Sequence, residues 1–273
     1  MQQVMHDNTK NWFRSVTQRA ASCSRSLVAS GAVRIPVPRP CGNDAQRTMA
    51  MLTAVREARR GIAYTLGGGG WELQTLYLAL TNATMCRALI DTRGPGFTMP
   101  EDSGYAPLEG DEPTVDELVA VIDRSFDLRP LQRDMDDIEV VFGGYGDPLL
   151  RAELLCETVE RVRADRHGTS FRVLTSGLFA DAASVLDPLD AVGVTRVTVA
   201  LNAANPKQYK DIMAPRDSAS SFSDVCSFVV AAAERGMQVS CTAVENGVVD
   251  TKKVRKLAMS LGASEYRVRT FVP

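Results

Sequence analysis

From residue 76 onward the chain alternates between two hydrophobic rhythms. Short apolar runs at 76–81, 138–142, 171–174, 196–201, 239–244 and 266–271 have the length and composition of strands in a parallel sheet. Helical segments fall between them. Thr114, with Glu117 three residues on, starts the first as a capping box, and Leu118, Val121, Ile122 and Phe126 form its inner face. Residues 148–164 and 181–191 predict the next two helices. Asn205 caps a short one with Pro206 at its first position, and a longer one runs from Ser221 to a left-handed stop at Gly236. Residues 251–260 predict the last.

Six strands alternating with helices predict an α/β fold with a parallel sheet, closed either as a doubly wound sheet or as a barrel. A doubly wound dinucleotide binder carries G-x-G-x-x-G after its first strand. Here the first strand runs into Thr-Asn-Ala-Thr-Met-Cys at 81–86. Polar and glycine-bearing motifs instead sit at the C-terminal ends of nearly all the strands, where a β/α barrel places its active site. The expectation is a partial (β/α)6 TIM-like barrel over residues 71–273, with six units in place of eight.

Residues 1–70 read as an N-terminal tail and linker. The first forty hold Lys10, Arg14, Arg19, Arg25, Arg34 and Arg39 against one acid, Asp7, with serines interleaved and Pro36, Pro38 and Pro40 at the end. That is the composition of an organelle transit peptide or of a polar tail, which points to a mitochondrial or a cytoplasmic protein. Residues 42–65 read as one poorly specified helix. The four glycines at 67–70 break it as a hinge, since no Gly-Lys-Ser/Thr follows to make them a phosphate cradle.

Composition narrows the chemistry. Lys and Arg number 31 against 33 Asp and Glu, a formal charge of −2, which excludes a coat that binds nucleic acid by charge alone. No run approaches the ~18–20 apolar residues of a membrane span. The six cysteines, at 23, 41, 86, 156, 226 and 241, form no C-x-x-C pair, so spacing gives neither a zinc knuckle nor a dithiol. Dispersed thiols suit a reducing compartment. His6 and His167 are the only histidines and neither accompanies a nucleophile motif, so a Ser-His-Asp or Cys-His device is not expected. Asp136 and Asp137 precede the second strand, at the end of the barrel away from chemistry, and are expected in solvent.

The candidate chemistry lies in the strand ends: Leu80-Thr81-Asn82, Gly143-Gly144-Tyr145-Gly146-Asp147-Pro148, Thr175-Ser176-Gly177-Leu178, Leu201-Asn202-Ala203 and Val244-Glu245-Asn246. Gly143, Gly144 and Gly146 let a backbone approach a ligand with no Cβ in the way, or else make a tight strand-to-helix turn. Asp147 can pair with an ammonium group. Thr175, Ser176 and Asn202 offer neutral hydrogen bonds to a ribose or a carboxylate, or serve as caps. Arg93, ahead of Gly-Pro-Gly, presents a guanidinium to an anion or stays solvated. Arg267 and Arg269 share one face of the last strand, where they either line the interior and call for an anionic partner or stand in water.

In order and spacing these strand ends resemble the radical SAM core, in particular its TatD-associated branch. The resemblance covers about residues 76–273. It implies a six-unit partial barrel, a Gly-Tyr-Gly-Glu-Pro-like turn holding the amino group of S-adenosylmethionine, and a cysteine triplet after Leu-Thr-Asn carrying a [4Fe–4S] cluster. Carried over, Gly144, Gly146, Asp147, Thr175, Ser176 and Asn202 are the cofactor-binding residues, with Asp147 one methylene shorter than the family's Glu. A TatD-like nuclease is the kind of protein partner it implies.

The triplet is where the chain departs. Aligned on Leu80-Thr81-Asn82, the spacing C-x3-C-x2-C falls on Thr84, Ala88 and Asp91, and the only thiol in the loop is Cys86. Iron–sulfur clusters are held by thiolates, and a hydroxyl, a methyl and a carboxylate do not replace them. The expectation is therefore a degenerate member that binds S-adenosylmethionine or a related small molecule without radical chemistry and without a standard cluster. The alternatives are an active enzyme with an atypical cluster and a scaffold for a protein partner.

Overall fold

The computed structural model describes residues 53–55, 58–66, 75–127 and 139–273. Seven strands among these form one sheet in chain order: β1 (Ala63–Tyr64), β2 (Thr75–Leu78), β3 (Glu139–Phe142), β4 (Ser170–Thr175), β5 (Arg196–Ala200), β6 (Gln238–Glu245) and β7 (Glu265–Thr270). β1 runs antiparallel to β2, and each later strand is parallel to the one before it. Helices α1 (Val115–Asp127), α2 (Ala152–Asp165), α3 (Ala182–Ala191), α4 (Pro206–Met213), α5 (Phe222–Glu234) and α6 (Thr251–Ser260) occupy the connections. The six parallel strands with their crossover helices are the expected partial (β/α)6 barrel.

The register sorts the side chains into two faces. Leu78, Phe142, Val173, Val197 and Val239 stand opposite one another on consecutive strands. All five are fully buried, in one core with Leu118 and Ile122 of α1, Leu155 and Val159 of α2, and Phe228 and Val229 of α5. Phe142 and Phe171 stack at 5.9 Å within it. At roughly 1.5–3 kcal/mol for each large apolar side chain removed from water, this helix-covered face supplies the main driving force for folding. The other face carries Tyr77, Val141, Arg172 and Arg196 in one row, and Ser240 beside Glu265, Thr242 beside Arg267 and Val244 beside Arg269 in others. It is the polar, concave face.

The helix starts follow the sequence closely. Thr114 and Glu117 exchange hydrogen bonds at the head of α1, 3.3 Å from Glu117 N–H to the Thr114 hydroxyl and 2.9 Å from Thr114 N–H to the Glu117 carboxylate. Asp181, Asn205 and Asp250 cap α3, α4 and α6, and Ser221 with Asp224 makes a capping box on α5. Each cap satisfies amide groups that a helix start leaves without partners.

Two expectations change. β2 ends at Leu78, not at Thr81: its neighbour Gly143 donates to the Leu78 carbonyl at 2.9 Å, and the chain then bends away. The single helix expected over 42–65 is not what the described part shows, because Thr53–Val55 is helical while Ala63–Tyr64 pairs with β2. Ala54, Ile62, Ala63 and Tyr64 are buried, which holds this segment against the barrel. The tail at 1–40, the glycines at 67–70 and the pair Asp136 and Asp137 lie outside the described residues. Among the described residues, no helix is long and apolar enough to cross a membrane.

Candidate functional site

The turn after β3 and the end of β4 meet at Asp147. Its carboxylate accepts from the Thr175 hydroxyl (2.8 Å), the Ser176 hydroxyl (2.7 Å), the Ser176 N–H (2.9 Å) and the Leu149 N–H (3.2 Å). Four donors match the roughly four lone-pair sites of a carboxylate. Asp147 is 5% exposed, and burial pushes its pKa up while the Ser176 and Thr175 bonds pull it down. The sequence brought Asp147, Thr175 and Ser176 forward as ligand donors. In the fold they are spent on one another, tying β3 to β4.

The glycines of the same turn face protein. A Cβ on Gly146 would stand 2.4 Å from the Thr81 carbonyl oxygen and 2.5 Å from that of Ala83, and one on Gly144 would stand 2.6 Å from the Ala79 Cβ. Asp147 N–H donates to the Ala83 carbonyl at 2.9 Å across this contact. The absence of a side chain is used to press the turn against the loop that follows β2. Asn82 fastens the far side of that loop, its amide bonding both the N–H and the carbonyl of Leu108 at 2.9 and 3.0 Å.

The loop itself is strapped down. Arg87 N–H donates to the Met213 carbonyl at 2.6 Å and Arg216 N–H to the Met85 carbonyl at 2.9 Å, so both sides of Cys86 are bound to the end of α4. The Thr84 hydroxyl donates to the Cys86 carbonyl and accepts from the Cys86 N–H. Cys86 is 2% exposed, and burial, followed by the charge of Asp147, pushes its thiol up to about 11. Ala88 is buried, and exposed Asp91 lies 3.5 Å from the Tyr145 hydroxyl. The void bordered by Thr84, Cys86, Ala88, Gly146, Asp147 and Ser176 measures about 10 Å³, room for about one water. Among the described residues no three of His, Cys, Asp and Glu gather as metal ligands. A [4Fe–4S] cluster does not fit these residues: the donor set at Thr84, Ala88 and Asp91 is wrong, and the space beside Cys86 is filled.

The open space lies on the concave face. A cavity of about 350 Å³ is lined by Tyr77 of β2, Arg172 and Leu174 of β4, Ala200 and Asn202 at the end of β5, Thr242 and Val244 of β6, and Arg269 of β7. Gly144 reaches it from the β3 turn, and Arg93, Phe97 and Tyr105 cover it from the long loop after β2. Asn202 is held there in a left-handed backbone conformation, φ +53°, which asparagine tolerates better than most residues. One end of its amide contacts the Met213 sulfur at 3.0 Å, while its Oδ1 is buried with no partner among the described residues. Of the residues singled out in the sequence, Gly144, Asn202, Arg93 and Arg269 therefore reach the cavity. Gly146, Asp147 and Ser176 border the small void beside Cys86, and Thr175 sits behind them. Arg267 pairs with Glu265 at 2.9 Å, and His167 is exposed in the turn before β4.

Tyr64, Tyr77, Tyr105 and Arg172 were missed in the sequence. Arg172 left a signal, since in Phe171-Arg172-Val173-Leu174 it breaks the apolar run with the period of a strand. Tyr64 and Tyr105 left none, because the segments that carry them have no repeat.

No protein-family model matches the sequence, and no curated protein matches it. Solved structures do. The chain aligns with anSMEcpe bearing bound AdoMet at a TM-score of 0.52 and 12% identity, over 72% of this chain and 51% of that one. It aligns with Streptococcus suis SuiB bound to its precursor peptide SuiA at 0.50 and 10%, over 98% and 53%. The radical S-adenosylmethionine methyltransferase TsrM of Kitasatospora setae, with cobalamin and a [4Fe–4S] cluster bound, aligns at 0.47 and 18%, over 71% and 34%. The chain spans about half the length or less of these three structures. The fold is the partial TIM-like barrel of the radical SAM type.

Proposed function

We propose that this protein binds a small molecule in the mouth of a radical-SAM-type barrel and carries out no cluster-dependent radical chemistry. One observation carries the reading. The concave face holds a cavity of about 350 Å³, while the neighbouring loop has Thr84, Ala88 and Asp91 at the cluster positions and a buried Cys86. That volume lies within the roughly 300–1,000 Å³ of ordinary small-molecule sites. Gly144 and Asn202 contact the ligand, and Asp147, Thr175 and Ser176 hold the wall behind them. Without a cluster there is no electron donor for reductive cleavage of S-adenosylmethionine, and no metal to chelate its amine and carboxylate. S-adenosylmethionine or a related small molecule is then held by side chains alone.

Anaerobic reconstitution with iron and sulfide, followed by metal and labile-sulfide assay and calorimetry with S-adenosylmethionine, tests this reading. Substoichiometric iron with no cluster absorbance is expected, together with binding of a small ligand that Asn202→Ala weakens. A full complement of iron with cluster absorbance, lost in Cys86→Ser, would favour the atypical enzyme instead.

A further inference from the structure

One wall of the cavity is loop, and that loop is anchored at two points. Thr92 is buried and its hydroxyl donates to the Leu89 carbonyl at 2.6 Å. Ser103 is buried and its carbonyl accepts from Thr65 N–H at 2.8 Å. Between the anchors none of residues 93–102 is buried, yet Phe97, Thr98, Met99 and Pro100 line the cavity. A glycine at positive φ stands at either end of the span, Gly94 at +101° and Gly104 at +77°, where most other residues are strained.

The span leaves the first parallel strand but is fastened to the last. Arg93 Nε donates to the Thr270 carbonyl at 2.7 Å, Val272 N–H to the Arg93 carbonyl at 2.8 Å, and Gly96 N–H to the Val272 carbonyl at 3.2 Å. The fit is close: a Cβ on Gly94 would overlap the Val272 carbonyl oxygen, and one on Gly96 would stand 2.5 Å from that of Pro273. The Arg93 guanidinium also lies 4.0 Å over the Phe97 ring, which ties this seam to the cavity wall. Residues 270–273 are no more buried than the span they hold. Hydrogen bonds in such an unpacked seam open locally at far lower cost than those within packed strands.

We infer that residues 93–102 are a flap over the cavity, latched to the end of β7 through Arg93 and Val272, and that ligand enters and leaves when the latch releases. Thr92 and Ser103 stay in place while Gly94 and Gly104 absorb the movement. The inference rests on the small-molecule reading above and adds how that site is reached.

Two measurements on the full chain test it. By hydrogen-exchange mass spectrometry, peptides covering 93–102 and the chain beyond Thr270 should exchange together, at least about a hundredfold faster than β5 and β6. Gly94→Ala, which forces the seam apart without entering the cavity lining, should speed both by about tenfold more and leave β5 and β6 unmoved. Gly236→Ala strains a glycine of similar φ at the end of α5, with no atom within 4 Å, and should change neither. By stopped-flow fluorescence, the neutral aromatic dye N-phenyl-1-naphthylamine and S-adenosylmethionine serve as separate probes. The binding rate of wild type should level off as probe is raised, because opening comes first, and Gly94→Ala should lift that ceiling by about tenfold. A rate that climbs linearly with probe and is the same in Gly94→Ala overturns the flap and leaves the small-molecule reading standing. Exchange of the seam only together with β5 and β6 overturns it too. Failure of both probes to bind overturns both readings.

Discussion

Arg172 and Glu139 meet in two parallel contacts on the concave face, Nε to Oε1 at 3.0 Å and Nη2 to Oε2 at 2.7 Å. Their side chains are 14% and 17% exposed, and Arg196 reaches the same carboxylate. A fork-to-fork pair in this setting fixes the guanidinium direction as well as its charge. Because Glu139 serves two arginines, its removal leaves two positive groups facing each other across β4 and β5. Glu139→Gln should cost about 2–3 kcal/mol, somewhat below the range for breaking a fully buried pair. Urea unfolding measures it, and a loss under about 0.5 kcal/mol would mean solvent screens the network.

Asp147 should behave as a structural residue. Asp147→Ala strands four donors in a buried turn and is expected to destabilise the fold by about 3 kcal/mol or more, with Asp147→Asn losing roughly half as much. Comparing both variants by chemical denaturation and by ligand affinity separates the two roles. An Asp147→Ala protein of unchanged stability that no longer binds ligand would restore the ammonium-partner role expected from the sequence.

Gly146→Ala places a methyl group within 2.5 Å of two carbonyl oxygens that belong to backbone. Neither oxygen can swing aside as a side chain would. The turn and the loop after β2 must separate, at a cost of about 2 kcal/mol or more. Thermal melting tests this. A near-neutral Gly146→Ala would show that the two loops are not in firm contact.

Cys86 provides a pH-dependent prediction. Its folded thiol titrates at about 11, against 9.0 for the free group, because burial and then Asp147 disfavour the thiolate. The folded chain keeps this proton where the unfolded chain gives it up. The contribution to stability is therefore whole below pH 9 and is lost as pH rises toward 11. Between neutral pH and mid-window, wild type should lose about 1–2 kcal/mol more than Cys86→Ala, as read by denaturant midpoints at both pH values. Equal losses would mean that the thiol ionises freely in the native state. Iodoacetamide on native protein at mildly alkaline pH should likewise leave the Cys86 peptide unmodified until denaturant is added.

The barrel was legible because its outer face obeys simple rules. Leu76, Leu78, Val140, Phe142, Phe171 and Val173 are contiguous enough in sequence to announce strands, and Thr114, Asn205 and Ser221 announce helices that cover them. The concave face was harder to read. Its polar residues alternate with the apolar ones and vanish into the average of each short run, as Arg172 does. The motif residues Asp147, Thr175 and Ser176 lie together in the fold, but a string of donors and acceptors does not say whether they serve a ligand or one another. Tyr64 and Tyr105 reach the cavity only through long-range folding of irregular segments, which leaves no periodic trace.

The two hydrogen bonds that join Met85 and Arg87 to Arg216 and Met213 bear on how this loop can be altered. Cysteines placed at 84, 88 and 91 would supply the C-x3-C-x2-C spacing but not a metal-binding geometry. The segment would still be pinned to the end of α4, with position 88 buried and position 91 exposed. Binding iron there would require releasing the pins before the new ligands were of any use, so order would be given up before a metal was gained. The pins act in this sense as a lock on the loop, held by backbone contacts that no inspection of those three positions would reveal.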